Sequence, residues 1–126
     1  MSGCLMAGAI AIGLGPGSSF SLEWTHSVEK VTWHEDWRVT ANGLTPIRAA
    51  VQGYGAGMEP GPDAKLIDGW MVWFPTARPV RELALASSGA TGGGWLLCGV
   101  DCVTLGMTPS DPVILRPCPD QFAQPN

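Results

Sequence analysis

Charged side chains are scarce in this sequence. Only 14% of its 126 residues are Asp, Glu, Lys or Arg, against about a quarter in an average globular protein. With 7 Lys and Arg and a formal net charge of -4, the chain has no basic stripe that could neutralise phosphate groups. Nucleic acids and anionic membrane surfaces are therefore poor candidate partners, and the length indicates a single domain.

A long apolar run is missing as well. Residues 4–14 are mostly apolar, but this run is about half of the roughly 20 residues that a bilayer requires, so we predict no membrane span. A signal peptide would carry a Lys or Arg near its start, whereas the first charged residue is Glu23. A first strand or strand pair within residues 1–15 is therefore favoured over a signal peptide.

Helix-forming segments are also missing, because 17 glycines and 11 prolines interrupt the chain. Short apolar or alternating runs instead follow one another at the spacing of strands. We expect one all-β domain over residues 1–126, an antiparallel β-sandwich or partly closed barrel built from hairpins, with a loose tail at residues 117–126. Residues 69–74 carry large side chains on both faces and are expected to form a central strand.

Two neighbouring segments, residues 20–28 and 31–39, alternate between the two faces of a strand and predict a β-hairpin. A register with the loop at residues 29–32 pairs Trp24 with Trp37 on the apolar face. It also places opposite charges across from each other on the polar face, and such cross-strand pairs stabilise a sheet.

This register brings together the two polar residues of the apolar face, with His26 opposite Glu35. One interpretation is a structural pair that fixes the register; the other is a ligand-binding or acid/base pair, with Thr25 and Ser27 as its neighbours in the sequence. A hydrolase in which Glu35 orients His26 is an alternative function. Because Ser27 points to the opposite face, it supplies no nucleophile beside them, and we assign no catalytic residue.

A glycine-rich segment follows a turn at residues 42–44 and a third strand at residues 47–51. It comprises Gly53, Tyr54, Gly55, Ala56 and Gly57. No Gly-Lys-Ser/Thr follows, and nearby prolines prevent the helix that a phosphate-binding motif requires. A tight loop is favoured over a ligand-binding loop. In the predicted meander, however, the segment emerges at the same end as His26 and Glu35, which makes it a candidate ligand loop.

The chain has four cysteines. Cys98 and Cys102 lie opposite each other in a predicted hairpin, where a disulfide is geometrically possible. Reduced thiols are the alternative, because Cys4 and Cys118 have no evident partner. A bridge would imply an oxidising compartment. One Cys-x-x-x-Cys lacks the second pair of ligands that a zinc site requires, and we predict no metal and no cofactor.

Three stretches of the sequence form a combination of motifs that is more specific than any one of them alone. They are WTHSVEKVTWHEDWRV, GYGAGMEP and SGATGGGWLLCGVDC. They resemble the bacterial family catalogued as domain of unknown function 1850, over nearly the whole chain, and its motif lies at residues 25–30, Glu35 and residues 55–57. The resemblance implies an association with TRAP-type transporters of the TAXI class and an extracytoplasmic, periplasmic location, and it implies no activity.

The polar pair and the resemblance lead to one functional prediction. The protein is expected to be a non-enzymatic accessory or binding module of a TAXI-class solute-uptake system. Its partner would be the permease or the binding protein of that system, and its small-molecule ligand is not identified by the sequence. A sugar-binding module that uses exposed indole faces is an alternative. Trp70, Trp73 and Trp95 are its candidates, because the other tryptophans lie on the predicted core face.

Overall fold

A computed structural model describes residues 3–25, 31–53, 63–87 and 94–119 of the protein. No helix in these ranges is long and apolar enough to cross a membrane. The described strands are β1 (Cys4–Ala7), β2 (Ile10–Gly13), β3 (Ser19–Thr25), β4 (Thr32–Thr40), β5 (Gly43–Gln52), β6 (Lys65–Ile67), β7 (Trp70–Trp73), β8 (Leu83–Ser87), β9 (Trp95–Cys98), β10 (Cys102–Leu105) and β11 (Ser110–Pro117).

The strands form two antiparallel sheets that pack against each other and do not close into a barrel. The smaller sheet has the order β2-β1-β11-β8, and the seven-stranded sheet has the order β10-β9-β3-β4-β5-β7-β6. The predicted all-β antiparallel sandwich is therefore confirmed, and of the two predicted architectures the barrel is wrong.

The core lies between the sheets. It is built from the inward-facing side chains of the strands, which alternate with outward-facing ones along each strand. Phe20 and Leu22 on β3 share it with Leu5 on β1 and Leu115 on β11, and each of these side chains is at most 2% exposed. Trp37 stacks on Phe20 with ring centroids 6.1 Å apart. Burying one such side chain stabilises the fold by roughly 1.5–3 kcal/mol, so this layer holds the two sheets together.

The faces of the first hairpin are as predicted, but its register is wrong. Trp24 lies opposite Trp33 rather than Trp37, whose partner is Phe20. The two registers differ by four residues, and a shift of even length leaves every side chain on its own face. Both registers also give aromatic cross-strand neighbours, so side-chain alternation does not distinguish them.

The turn between β4 and β5 is tighter than predicted. Ala41 and Asn42 form a two-residue connection, because Thr40 pairs directly with Gly43. The prediction of a three-residue loop at residues 42–44 is therefore wrong. Gly43 has a φ of 124°, a conformation that glycine adopts readily and that other residues adopt at a cost.

A β-bulge interrupts the pairing of β4 with β5. Asp36 lies opposite Arg48, whereas Trp37 lies opposite Pro46, so Ile47 is the extra residue on β5. Proline has no backbone N–H to donate, and strands accommodate it at such irregularities. The bulge places Arg48 beside Asp36 on the outer face of the seven-stranded sheet, which is the face turned away from the smaller sheet.

The strand predicted as central lies close to the edge of its sheet. β7 pairs with β5 on one side and with the edge strand β6 on the other. Asp68 and Gly69 join β6 to β7 with φ values of 51° and 86°, as in a two-residue hairpin turn of type I′. β6 was not predicted, because three residues are too few to show an alternation.

All four cysteines are bridged. The Cys98–Cys102 disulfide spans the β9–β10 hairpin, in the geometry that the sequence predicts. The Cys4–Cys118 disulfide was not predicted; it joins the first residue of β1 to the residue after β11. These two strands already pair, and the backbone N–H of Cys118 donates to the carbonyl oxygen of Cys4 at 3.1 Å.

Candidate functional site

A chain of polar contacts crosses the outer face of the seven-stranded sheet. The register places Glu23 of β3 opposite His34 of β4, and the bulge places Arg48 of β5 opposite Asp36. His34 lies 3.1 Å from a Glu23 carboxylate oxygen and 3.0 Å from an Asp36 oxygen, and the second Asp36 oxygen accepts from Arg48 at 3.4 Å. We call these four residues the polar cluster.

His34 is at the centre of the polar cluster. Its Nδ1 faces Glu23 and its Nε2 faces Asp36, and its side chain is 27% exposed. A neutral imidazole donates from one nitrogen only, whereas an imidazolium donates from both. Because each ring nitrogen of His34 lies within hydrogen-bond distance of a carboxylate oxygen, His34 bridges the two acids.

A cavity of about 340 Å³ opens beside the polar cluster. Its lining residues are Glu23, His34, Arg48, Ala50, Ile67, Asp68 and Trp70. Ala50 is buried between His34 and Val72 in the sheet, so its small side chain leaves space above the strands. The β6–β7 hairpin supplies the far side of the cavity.

The hairpin that borders the cavity is fixed to the end of β5. The backbone N–H of Gly53 donates to the carbonyl oxygen of Gly69 at 2.7 Å. This bond holds the Asp68–Gly69 turn beside the sheet. The cavity thus combines one cation, two carboxylates, an imidazole and an indole, and it has the mixed polar and apolar lining that small-molecule sites commonly show.

Glu35 lies on the opposite, inward face of the same sheet. Its cross-strand neighbours are Leu22 and Ala49, so the register that placed His26 opposite Glu35 is wrong. Burial raises the pKa of the Glu35 carboxyl, and the opposing effects of the Trp37 hydrogen bond and of the His34 charge are smaller. The Trp37 Nε1–H donates to a Glu35 carboxylate oxygen at 3.0 Å.

Most of the other predicted site residues lie outside the described residues. These are His26, Ser27, Tyr54, Gly55, Ala56 and Gly57. Two predicted residues, Thr25 and Gly53, lie at the described ends of these segments. The Thr25 hydroxyl is 3.3 Å from that of Thr32. Gln52, the residue before Gly53, accepts a hydrogen bond from the Thr32 backbone N–H. The ends of β3 and β5 and the start of β4 therefore share one end of the sheet.

Four tryptophans form a row across the inward face at this end. Trp24 stacks on Trp33 with centroids 5.9 Å apart, and it contacts Trp95 at 4.6 Å. Trp33 meets Trp73 edge-on at 5.9 Å. Two of the predicted sugar-binding tryptophans, Trp73 and Trp95, therefore pack against other indoles. The third, Trp70, lines the cavity.

The polar cluster was missed by the sequence interpretation although its signal was present. Alternation already placed Glu23, His34 and Asp36 on one face. What was missing was the register, which decides that Glu23 contacts His34. Within the described ranges, no group of three or more His, Cys, Asp or Glu side chains has the arrangement of a metal site.

Comparison with known proteins supports the family suggested by the sequence. The model of a family described as a domain of unknown function, DUF1850, matches residues 20–105, more than half of the chain. The chain belongs to the DUF1850 family. Searches of curated proteins and of solved structures found no match. The DUF1850 match begins in β3 and ends in β10, so it contains the polar cluster and every residue that lines the cavity.

Proposed function

We propose that this DUF1850 protein is a non-enzymatic binding module that holds a small polar molecule in the cavity beside the polar cluster. The observation that carries the proposal is the convergence of Arg48, Glu23, Asp68 and Trp70 on one cavity of about 340 Å³. Pockets for small molecules combine apolar walls with a few polar groups that fix the orientation of the ligand. This cavity has the volume and the mixture of groups for that task.

The contacts of His34 favour binding over acid/base catalysis. A general base must face the proton that it removes, and both nitrogens of His34 face carboxylates instead. The imidazole thereby holds Glu23 and Asp36 in place, and Asp36 in turn contacts Arg48. The cluster is thus suited to presenting charged groups in fixed positions.

We further propose that the module works outside the cytoplasm as an accessory of a TAXI-class TRAP uptake system, with the permease or its binding protein as partner. Two disulfides support the location, because such bridges persist in oxidising compartments. Membership of the DUF1850 family, together with the resemblance of the motif segments, supports the association.

A transport assay tests both parts of the proposal. The gene would be deleted in a cell that has a TAXI-class system, and the initial rate of solute uptake would be measured after complementation. We expect the wild type and Arg38→Met to restore uptake and Arg48→Met to fail. Arg38 is a matched control, because it is an exposed arginine on β4 that does not line the cavity.

The outcomes separate the two parts. Uptake that is unchanged by the deletion would refute the association with transport. Full restoration by a folded Arg48→Met protein would refute the role of the cavity. Expression and folding of each variant would be checked by its thermal unfolding curve.

A further inference from the structure

We infer that the ligand of this cavity is a zwitterion, whose carboxylate is bound by Arg48 and whose ammonium group is bound by Glu23 and Asp68. The inference rests on the proposed binding function and specifies its ligand class. It follows from the charges around the cavity and from the bonding capacity that the protein leaves to them.

Arg48 has donors to spare for an anionic group. Its side chain is 42% exposed, and its one hydrogen bond in the described part of the chain is the long 3.4 Å contact with Asp36. A guanidinium carries five N–H donors in a planar fork that matches a carboxylate. Asp36 orients this group from the side, and most of its donors are left for a ligand.

Two carboxylates line the same cavity and suit a cationic group. His34 contacts one oxygen of Glu23, and the other oxygen has no hydrogen bond among the described residues. Asp68 is exposed in the β6–β7 turn, and its side chain likewise has no partner in the described ranges. Trp70 lies next to this turn, and an indole face attracts a cation.

The mixture of charges disfavours a ligand of one sign. A simple anion that reached Arg48 would lie near Glu23 and Asp68, and a simple cation would lie near Arg48. A zwitterion meets both signs favourably. The volume is at the lower end of the roughly 300–1,000 Å³ that ligand pockets occupy, so a small molecule is expected.

The sheet geometry sets the range of charge separations that should be tested. Glu23 on β3 and Arg48 on β5 flank β4, so their strands are about 10 Å apart. Their long side chains both reach the cavity. A series of ω-amino acids from glycine to 6-aminohexanoate varies the separation one methylene at a time. Hexanoate and hexylamine are the matched molecules that each lack one charge.

The experiment is calorimetric titration of the disulfide-bonded full chain with this series. We expect at least one zwitterion to bind ten or more times tighter than hexanoate and hexylamine. Arg48→Met should weaken the zwitterion and hexanoate while sparing hexylamine. Glu23→Gln should weaken the zwitterion and hexylamine while sparing hexanoate. Arg38→Met and Glu82→Gln, at exposed positions away from the cavity, should change none of these affinities.

This crossed pattern would not arise from a general loss of structure, which would weaken all probes together. The inference is overturned if no zwitterion binds better than both single-charge molecules. Binding of hexanoate or hexylamine that Arg48→Met or Glu23→Gln abolishes would then leave the binding function standing with another ligand class. A zwitterion that binds Arg48→Met as tightly as the wild type would also overturn it.

Discussion

Removing the Cys4–Cys118 bridge is expected to cost much more stability than removing Cys98–Cys102. The two bridges have sequence separations of 114 and 4 residues. In the chain-entropy treatment, a disulfide stabilises the fold by restricting the unfolded chain, and the effect grows with the logarithm of loop length. This gives about 5 kcal/mol for the long loop and about 2 kcal/mol for the short one. The total free energy of unfolding of a domain is typically about 5–15 kcal/mol.

Urea unfolding followed by tryptophan fluorescence measures this difference. Cys4→Ala/Cys118→Ala and Cys98→Ala/Cys102→Ala each remove one bridge without leaving a lone thiol. Free energies extrapolated to water should be compared rather than midpoints, because removing a cross-link exposes more surface on unfolding and raises the m-value. We expect the first variant to lose about 3 kcal/mol more than the second.

Equal losses, or a larger loss for the short loop, would refute the reasoning. Near-UV circular dichroism would establish that both variants keep the native packing. For the long bridge this is expected, since the pairing of β1 with β11 and the bond between Cys118 N–H and the Cys4 carbonyl do not depend on the sulfur atoms.

Two further predictions concern stability. Because burial raises the pKa of the Glu35 carboxyl, ionisation of this carboxyl in the folded protein opposes folding. Glu35→Gln removes the charge and keeps an acceptor for Trp37, so it should raise the melting temperature at pH 7. That gain should vanish as the pH falls below about 4, where the unfolded carboxyl is also protonated, and a gain independent of pH would contradict the cause. Gly43→Ala should lower the free energy of unfolding by about 1–3 kcal/mol, because Gly43 has a φ of 124° and the added Cβ would collide with the Val80 carbonyl oxygen. That oxygen accepts a hydrogen bond from the Leu44 N–H at 2.7 Å. Gly53→Ala, with φ of 65° and nothing within 4 Å of the added Cβ, is its control in chemical denaturation and should cost less.

The sequence predicts which face each side chain occupies better than it predicts which residues meet across strands. Face depends on a period of two, so an even shift leaves it intact. Register depends on differences between pairings that are each worth about 0.2–1 kcal/mol. Trp24 finds an aromatic partner in the predicted register at Trp37 and in the observed one at Trp33.

The same uncertainty explains why the sequence did not bring the members of the polar cluster together. The predicted turn at residues 42–44 sets a register in which Val51 meets Glu35 and Arg48 meets Arg38. The observed bulge instead puts Arg48 opposite Asp36 and Val51 opposite Trp33. Pro46 was the available signal for that irregularity. The long-range Cys4–Cys118 pairing depends on the order of strands in the smaller sheet, which no local pattern encodes.

The contribution of the polar cluster to the stability of the fold is too small to account for its presence. Its members are 27% to 42% exposed, and exposed ion pairs of this kind contribute about 0–1 kcal/mol. Yet in a chain with only 18 charged residues, Glu23, Asp36, Arg48 and Asp68 all lie at or beside one cavity. Scattered charges would keep the outer face of the sheet soluble equally well. Their concentration around an indole, with His34 bridging Glu23 and Asp36 and with Asp36 in contact with Arg48, supports the proposed binding function.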